Sequence, residues 1–246
     1  MISIVSPVYN SEKCLKKLVE KIFFYTNKVT DKFEIILVDD GSKDESWNKI
    51  IQLKKKYSIL KGIKLSRNYG QHKAIYQGIK SSTGKLIIIM DCDLQDNPAF
   101  IVDMFNSYIG EKKPVIIEHS YKNFKFRDRI VSNIFWYFLS AVSFKKFSPS
   151  LGNYLLIDDK IKKNYLLMKN IGYLYGDLIT QGNIFFHIKK KRSHGTRQGT
   201  TYNYTKLAYL GIILILKYNI LGNILRNTFS NFAKNKIKKI SIARKI

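Results

Sequence analysis

The first 120 residues repeat one alternation. Short runs of large apolar residues (ISIVSPV, EIILV, GIKL, KLIIIM, PVII) are separated by segments whose apolar positions recur every three or four residues. The runs are β-branched and too short for helices, so they are expected as strands. Strands are placed at 2–10, 34–42, 62–66, 85–94 and 114–120. Leu15, Leu18, Val19, Ile22 and Phe23 share one helical face, which predicts a helix over 12–28. Ser42 with Glu45 fits a capping box opening a second helix that runs through 57. A third helix is expected over 71–82. Asn97 followed by Pro98 has the form of a helix N-cap with Pro at the first helical position. Strands that alternate with helices and are apolar throughout, not on one face, imply an α/β fold. Its sheet is mainly parallel and covered on both faces.

The second half changes character. Residues 124–147 read as an aromatic-rich helix, basic at both ends, with Ile130, Ile134, Phe138 and Val142 along one stripe. A short strand is expected at 153–157, helices at 159–170 and 173–181, a strand at 183–192 and a loop at 195–204. An apolar and basic tail follows.

In a parallel sheet, ligands bind beyond the carboxyl ends of the strands. Two such ends here are acidic: EIILV runs into Asp39 and Asp40, and KLIIIM runs into Asp91, Cys92 and Asp93. Clustered carboxylates repel one another unless something positive lies between them. An isolated D-x-D more often caps a loop or helix. Two acid pairs on neighbouring strand ends point instead to a hard cation, Mg2+ or Mn2+, carrying a diphosphate. The glycine fingerprints of phosphate-binding loops are absent, so a metal would take over their role.

Charge sharpens this picture. The 246 residues carry a formal charge of +25, and no acid follows Asp177. That balance calls for an anionic partner: nucleic acid, a lipid surface or a phosphorylated substrate. The two cysteines, Cys14 and Cys92, form neither a disulfide framework nor a metal motif, which suits a reducing compartment. Met1 leads straight into a strand-like run, so no leader is expected. No stretch reaches the roughly 18 uninterrupted apolar residues of a membrane-spanning helix.

The segments SPVYN, EIILVDDGSKD, LSRNYGQHKAIYQGI and GKLIIIMDCDLQDNP resemble the family 2 glycosyltransferases. They resemble in particular the branch of dolichol- and polyprenyl-phosphate sugar synthases. Four motifs in order, at ordinary spacing across residues 1–120, make the resemblance specific. It implies a GT-A fold, a nucleotide-sugar donor, a divalent metal and inversion at the anomeric carbon. It also implies donor contacts from Pro7, Tyr9, Asn10, Asp39, Asp40, Arg67, Asn68 and Gly70, and metal and diphosphate contacts from Asp91, Asp93 and Gln95. Beyond residue 120 it weakens. KKRSHGTRQGTTYNYTKL is similar to a late phosphate-binding loop of the family, one residue short. Arg197 and Tyr202 match on that reading, with Arg192 as the competing arginine. Where many relatives carry an acid, this chain has Asn153. Asp177 is the remaining candidate for a catalytic base, against a structural hydrogen bond. A hydroxyl acceptor needs a base, whereas a lipid phosphate is already anionic.

The resemblance divides the chain into a nucleotide-sugar-binding half at 1–120, an acceptor-binding half of the same domain at 121–205, and an amphipathic, basic membrane-associating segment at 206–246, expected to be helical. Residues 226–246 mix Phe229, Phe232, Ile237, Ile240 and Ile242 with basic side chains and no acid. Such a segment suits the interface of an anionic membrane. The expectation is therefore a metal-dependent transferase at the cytoplasmic face of a membrane, moving sugar to a lipid-linked acceptor such as polyprenyl phosphate. A hydroxyl acceptor on a surface polysaccharide or glycolipid is the alternative. A nucleic-acid-binding protein is disfavoured, because strand-end acids repel phosphates and no nucleic-acid module is visible.

Overall fold

A computed structural model describes residues 1–120, 136–137, 140–141, 148, 150–169, 171–191 and 242–246. The described strands are β1 (Ile2–Val8), β2 (Phe33–Asp39), β3 (Leu60–Leu65), β4 (Leu86–Ile89), β5 (Val115–Ser120), β6 (Leu151–Asp158), β7 (Phe186–Lys191) and β8 (Ile242–Lys245). The helices are α1 (Glu12–Thr26), α2 (Ser46–Lys56), α3 (Gln71–Ser81), α4 (Phe100–Glu111), α5 (Asp159–Leu166) and α6 (Leu174–Thr180). Trp136, Tyr137, Ser140 and Ala141, within the expected 124–147 helix, are helical. The remainder of that helix, the 195–204 loop and the tail up to residue 241 lie outside the described residues.

The strands form one sheet in the order β7-β5-β6-β4-β1-β2-β3-β8. β1 pairs in parallel with both β4 and β2, and β2 with β3. β6 runs antiparallel to β4 and to β5, and β7 is parallel to β5. The carboxyl ends of β1 to β5 and β7 therefore share one edge of the sheet with the start of β6.

Pleating divides each central strand between two cores. Ile4, Ile35, Leu37 and Ile88 pack with Leu15 and Leu18 of α1, Ile50 of α2 and Met104 of α4. Val5, Ile36, Val38, Ile87 and Ile89 pack with Ile75 of α3, Tyr165 of α5 and Leu178 of α6. This double burial is what the uninterrupted apolar runs anticipate.

Three local expectations are corrected. α2 starts at Ser46 with Glu45 at its N-cap and no capping side chain. The Ser42 hydroxyl instead accepts the Asn10 amide at 3.0 Å, so it ties two loops together. β4 ends at Ile89, before its acids. α4 begins at Phe100, because the Asn97 side chain caps a turn by accepting the Ala99 amide at 3.1 Å. The end of the tail also differs from an interfacial helix: Ile242–Lys245 pairs antiparallel with β3. There the Ile246 amide donates to the Gly62 carbonyl at 2.8 Å, and a Cβ on Gly62 would lie 2.8 Å from the Ile246 side chain.

Candidate active site

Four loops meet at the carboxyl edge. The first follows β1. Pro7 is enclosed within that strand opposite Val38, leaving Tyr9 half-buried and Asn10 exposed at its end. Asn10 adopts φ 48°, a conformation Asn tolerates better than most residues. Its Oδ1 accepts the Lys43 amide at 2.8 Å. The Glu12 amide donates to Asp44 at 3.2 Å, and the Glu45 amide donates back to Glu12 at 3.0 Å. The loops after β1 and β2 are thus stapled reciprocally. Burial pushes the Asp44 carboxyl up, but hydrogen bonds from the Ser46 hydroxyl and the Glu12 and Ser46 amides outweigh it. The net position is below the usual carboxylate range.

The tandem acids after β2 part in role. Asp39 is fully buried. Its Oδ1 accepts the Ser42 amide at 3.1 Å, while its Oδ2 is buried without a partner. Asp40 is also buried, but both its oxygens are engaged: Oδ1 accepts the Tyr69 amide at 2.7 Å and Oδ2 the Gly70 amide at 2.9 Å. Burial raises its pKa, assisted by the charge of Asp39 and opposed by the two amides. Asp40 therefore holds the loop after β3, with a backbone amide on each of its oxygens. Gly41 makes the close approach possible. At φ +70°, a Cβ on it would stand 2.5 Å from the Arg67 carbonyl carbon.

On the loop so held, Arg67 and Asn68 are exposed, and the Arg67 guanidinium lies 4.9 Å from the centre of the Tyr69 ring. Gly70, at φ 95°, is the N-cap of α3. The next residue, Gln71, donates its side-chain amide to the Asp91 carboxylate.

The loop after β4 carries the acid cluster. Asp91, Asp93 and Gln95 are half-buried. Asp93 Oδ1 accepts the Gln95 amide at 3.0 Å. Between the two acids, the buried Cys92 thiol donates to the Ser11 hydroxyl at 3.3 Å, and the Cys14 thiol donates to the Ser11 carbonyl at 3.1 Å. The two thiols pack the acid loop onto the start of α1. A cleft of about 250 Å³ opens there, lined by Asn10, Ser11, Glu12, Lys13, Cys14, Asp44 and Asp93.

Asp177 does not join this gathering. It is fully buried in the first turn of α6, where its Oδ2 accepts the Gly172 amide at 2.6 Å. Of the two roles the sequence leaves open for Asp177, a base or a structural hydrogen bond, this bond to the Gly172 amide is the structural one. Asn153 does lie at the right edge, two residues before Leu155, the partner of Ile89. It is 9% exposed with its Oδ1 unpartnered. Arg192, Arg197 and Tyr202 lie outside the described residues. The sequence reading did not single out Ser11, Glu12, Gln71, Asp96 or His119. Ser11 and Glu12 directly follow Tyr9-Asn10, which is the one local hint.

The donor set of Asp91, Asp93 and Gln95 is all oxygen, which suits Mg2+ or Mn2+. Among the described residues, no group of three or more His, Cys, Asp or Glu side chains could hold a metal ion. Asp93 on the wall of the cleft, with Asp91 two residues before it, fits a cation that completes its shell with phosphate oxygens.

The sheet order, the two helical layers and the acids after β4 define an α/β fold of the GT-A type. Glucosyl-3-phosphoglycerate synthase from Mycobacterium tuberculosis, solved with Mn2+, UDP and phosphoglyceric acid, superposes with a TM-score of 0.65 over 88% of this chain and 76% of that one, at 16% identity. A mannosyltransferase from Pyrobaculum calidifontis, in complex with GDP-Man and Mn2+, superposes with a TM-score of 0.57 over 96% of this chain and 64% of that one, at 13% identity. The family model of Glycosyl transferase family 2 matches residues 3–175, and the chain belongs to that family. Among curated relatives, the undecaprenyl-phosphate 4-deoxy-4-formamido-L-arabinose transferase of Photorhabdus laumondii is 43% identical over 98 residues, covering 39% of this chain and 30% of the relative. The protein of the same name from Pseudomonas fluorescens is 43% identical over 99 residues, covering 39% and 29%. The matched region thus spans less than a third of these relatives.

Proposed function

We propose that the protein transfers a sugar, with inversion, from a nucleotide-sugar donor to a lipid-linked phosphate, of which polyprenyl phosphate is the model. The observation that carries the reading is the meeting of the β1, β2 and β4 loops around one polar cleft, with Asp93 on its wall. In this reading Tyr9 and Asn10 border the nucleotide. Asp39, whose Oδ2 has no partner, accepts a hydrogen bond from the base or ribose. A buried carboxylate oxygen without a donor is costly, and a ligand N–H or O–H removes the cost. Arg67 sits on a loop fixed by Asp40 and adds positive charge near the diphosphate. Asp91, Asp93 and Gln95 hold Mg2+ or Mn2+, which stabilises the negative charge of the departing diphosphate. Among the outlying arginines, Arg192 or Arg197 supplies further phosphate contacts.

Among the described residues, neither candidate for the base is both exposed and acidic, which supports a phosphate acceptor. Asp177 is enclosed and Asn153 is neutral. An anionic phosphate oxygen can displace the diphosphate without losing a proton first, whereas a hydroxyl cannot. The two undecaprenyl-phosphate transferases among its relatives support the same class. No helix among the described residues is long and apolar enough to cross a membrane. With a charge of +25, peripheral attachment to an anionic inner leaflet is the mode of access proposed here.

The test is transfer from a panel of radiolabelled nucleotide sugars in Mn2+ to two acceptors: undecaprenyl phosphate, and a glycolipid offering only sugar hydroxyls. Label should enter the organic phase with the lipid phosphate and not with the hydroxyl acceptor. Transfer to the hydroxyl acceptor alone would overturn the assignment.

A further inference from the structure

The acids after β4 sit on a segment with no regular structure, between the end of β4 at Ile89 and the start of α4 at Phe100. Leu94 in its middle adopts φ 65°, which costs a non-glycine residue about 1–2 kcal/mol. A segment that keeps such a conformation must be over-determined by its surroundings.

The anchor is Asp96, 3% exposed. Its Oδ2 accepts the Asp91 amide at 2.9 Å. Its Oδ1 lies 3.0 Å from His119 Nε2, which donates to it. His119 is 4% exposed and comes from β5, with β6 intervening between β5 and β4. A second tie comes from β6, where the Tyr154 hydroxyl donates to the Asn97 carbonyl at 2.9 Å. The other nitrogen of His119, Nδ1, is buried without a partner. Leaving such a group unsatisfied costs about 1–3 kcal/mol. An apolar residue would avoid that cost on a strand whose Val115, Ile116 and Ile117 are fully buried. What His119 supplies that an apolar residue would not is the Nε2 donor to Asp96. A local rule broken beside a candidate site is where function is expected to override packing.

We propose that His119, acting through Asp96, is a positioning residue for the divalent-cation site. By holding Asp96, it fixes the Asp91 backbone and so the direction in which the Asp91 carboxylate faces the cation. Neither His119 nor Asp96 touches cation or substrate. The inference rests on the cation reading of Asp91 and Asp93 given above. Partners of this kind change metal affinity about 10–100-fold when removed.

The test is Mn2+ binding to the whole protein, followed by the paramagnetic resonance signal of free Mn2+. It is applied to wild type, Asp93→Ala, His119→Phe and His119→Gln. Phe keeps the ring volume without the donor; Gln restores an N–H at similar reach. The expected pattern is binding in wild type, loss in Asp93→Ala, about tenfold weakening in His119→Phe and recovery in His119→Gln. His119→Asn, too short to reach Asp96, substitutes for the Phe variant should that fail to fold, and the same weakening is expected. Wild-type affinity in His119→Phe, with Asp93→Ala defective, would overturn the positioning role and leave the cation site standing. Absence of Mn2+ binding in wild type, or wild-type binding in Asp93→Ala, would overturn the cation reading and this inference with it.

Discussion

Both oxygens of Asp40 are taken by backbone amides of the loop that presents Arg67 and Asn68. Asp40→Asn leaves one good acceptor for two donors. The variant should bind nucleoside diphosphate about tenfold more weakly, the cost of about 1.4 kcal/mol of lost positioning. Calorimetric titration reads this directly, and unchanged affinity would show that the loop holds itself. The same change has a pH signature. A carboxyl whose folded pKa is raised keeps its proton more readily in the native state, so native stability falls as pH rises from about 3.8 through the folded value. Asn lacks that dependence, so the variant should be more destabilised at pH 4 than at pH 7 in urea unfolding. Residue roles at this scale were only partly legible. Asp39 and Asp40 are adjacent and chemically identical, and only the partners of each oxygen separate them. The position of Asp91 and Asp93 at the edge of the sheet was legible because acids at the end of an apolar run contradict burial. Asp96 with His119, 23 residues apart, was not, because no local pattern encodes a bond across an intervening strand.

At the scale of elements, periodicity carried most of the fold. The apolar runs became strands and the three-to-four spacing became helices, because both reflect which side chains can be buried together. Failures fall at the ends of elements, where single hydrogen bonds decide. Ser42 had two possible partners, its own helix and the Asn10 amide, and tertiary structure chose the second. β8 was invisible because Ile242–Lys245 is defined by the β3 edge it covers, not by its own composition. Gly41 is where the loops after β2 and β3 come into backbone contact. Gly41→Ala would push a Cβ to 2.5 Å from the Arg67 carbonyl carbon at φ +70°. It should destabilise the fold by about 1–3 kcal/mol, visible as a lower urea midpoint at unchanged slope, and weaken nucleotide binding. A wild-type midpoint would mean that the two loops are not in backbone contact.

For the molecule as a whole, the sheet sets the loops after β1 to β4 at one edge, while the charge of +25 is a property of the full chain. Attraction to an anionic surface is screened over about 10 Å at 0.1 M salt and about 3 Å at 1 M. The protein should therefore co-sediment with anionic vesicles at low salt and be released by salt. It should ignore neutral vesicles at any salt, and binding indifferent to lipid charge would contradict an electrostatic attachment. Which sugar the proposed reaction moves was never legible, because it would be read by contacts that no motif fixes. The central claim, a cation-dependent nucleotide site at the end of β4, is tested most directly by thermal unfolding. Wild type and Asp93→Ala are melted with UDP, GDP and dTDP, each with and without Mn2+. A ligand that binds the native state raises the midpoint by mass action. The account predicts a rise for one nucleotide, present only with Mn2+ and absent in Asp93→Ala. A rise that needs no Mn2+ or survives in Asp93→Ala, or no rise with any pair, would contradict it.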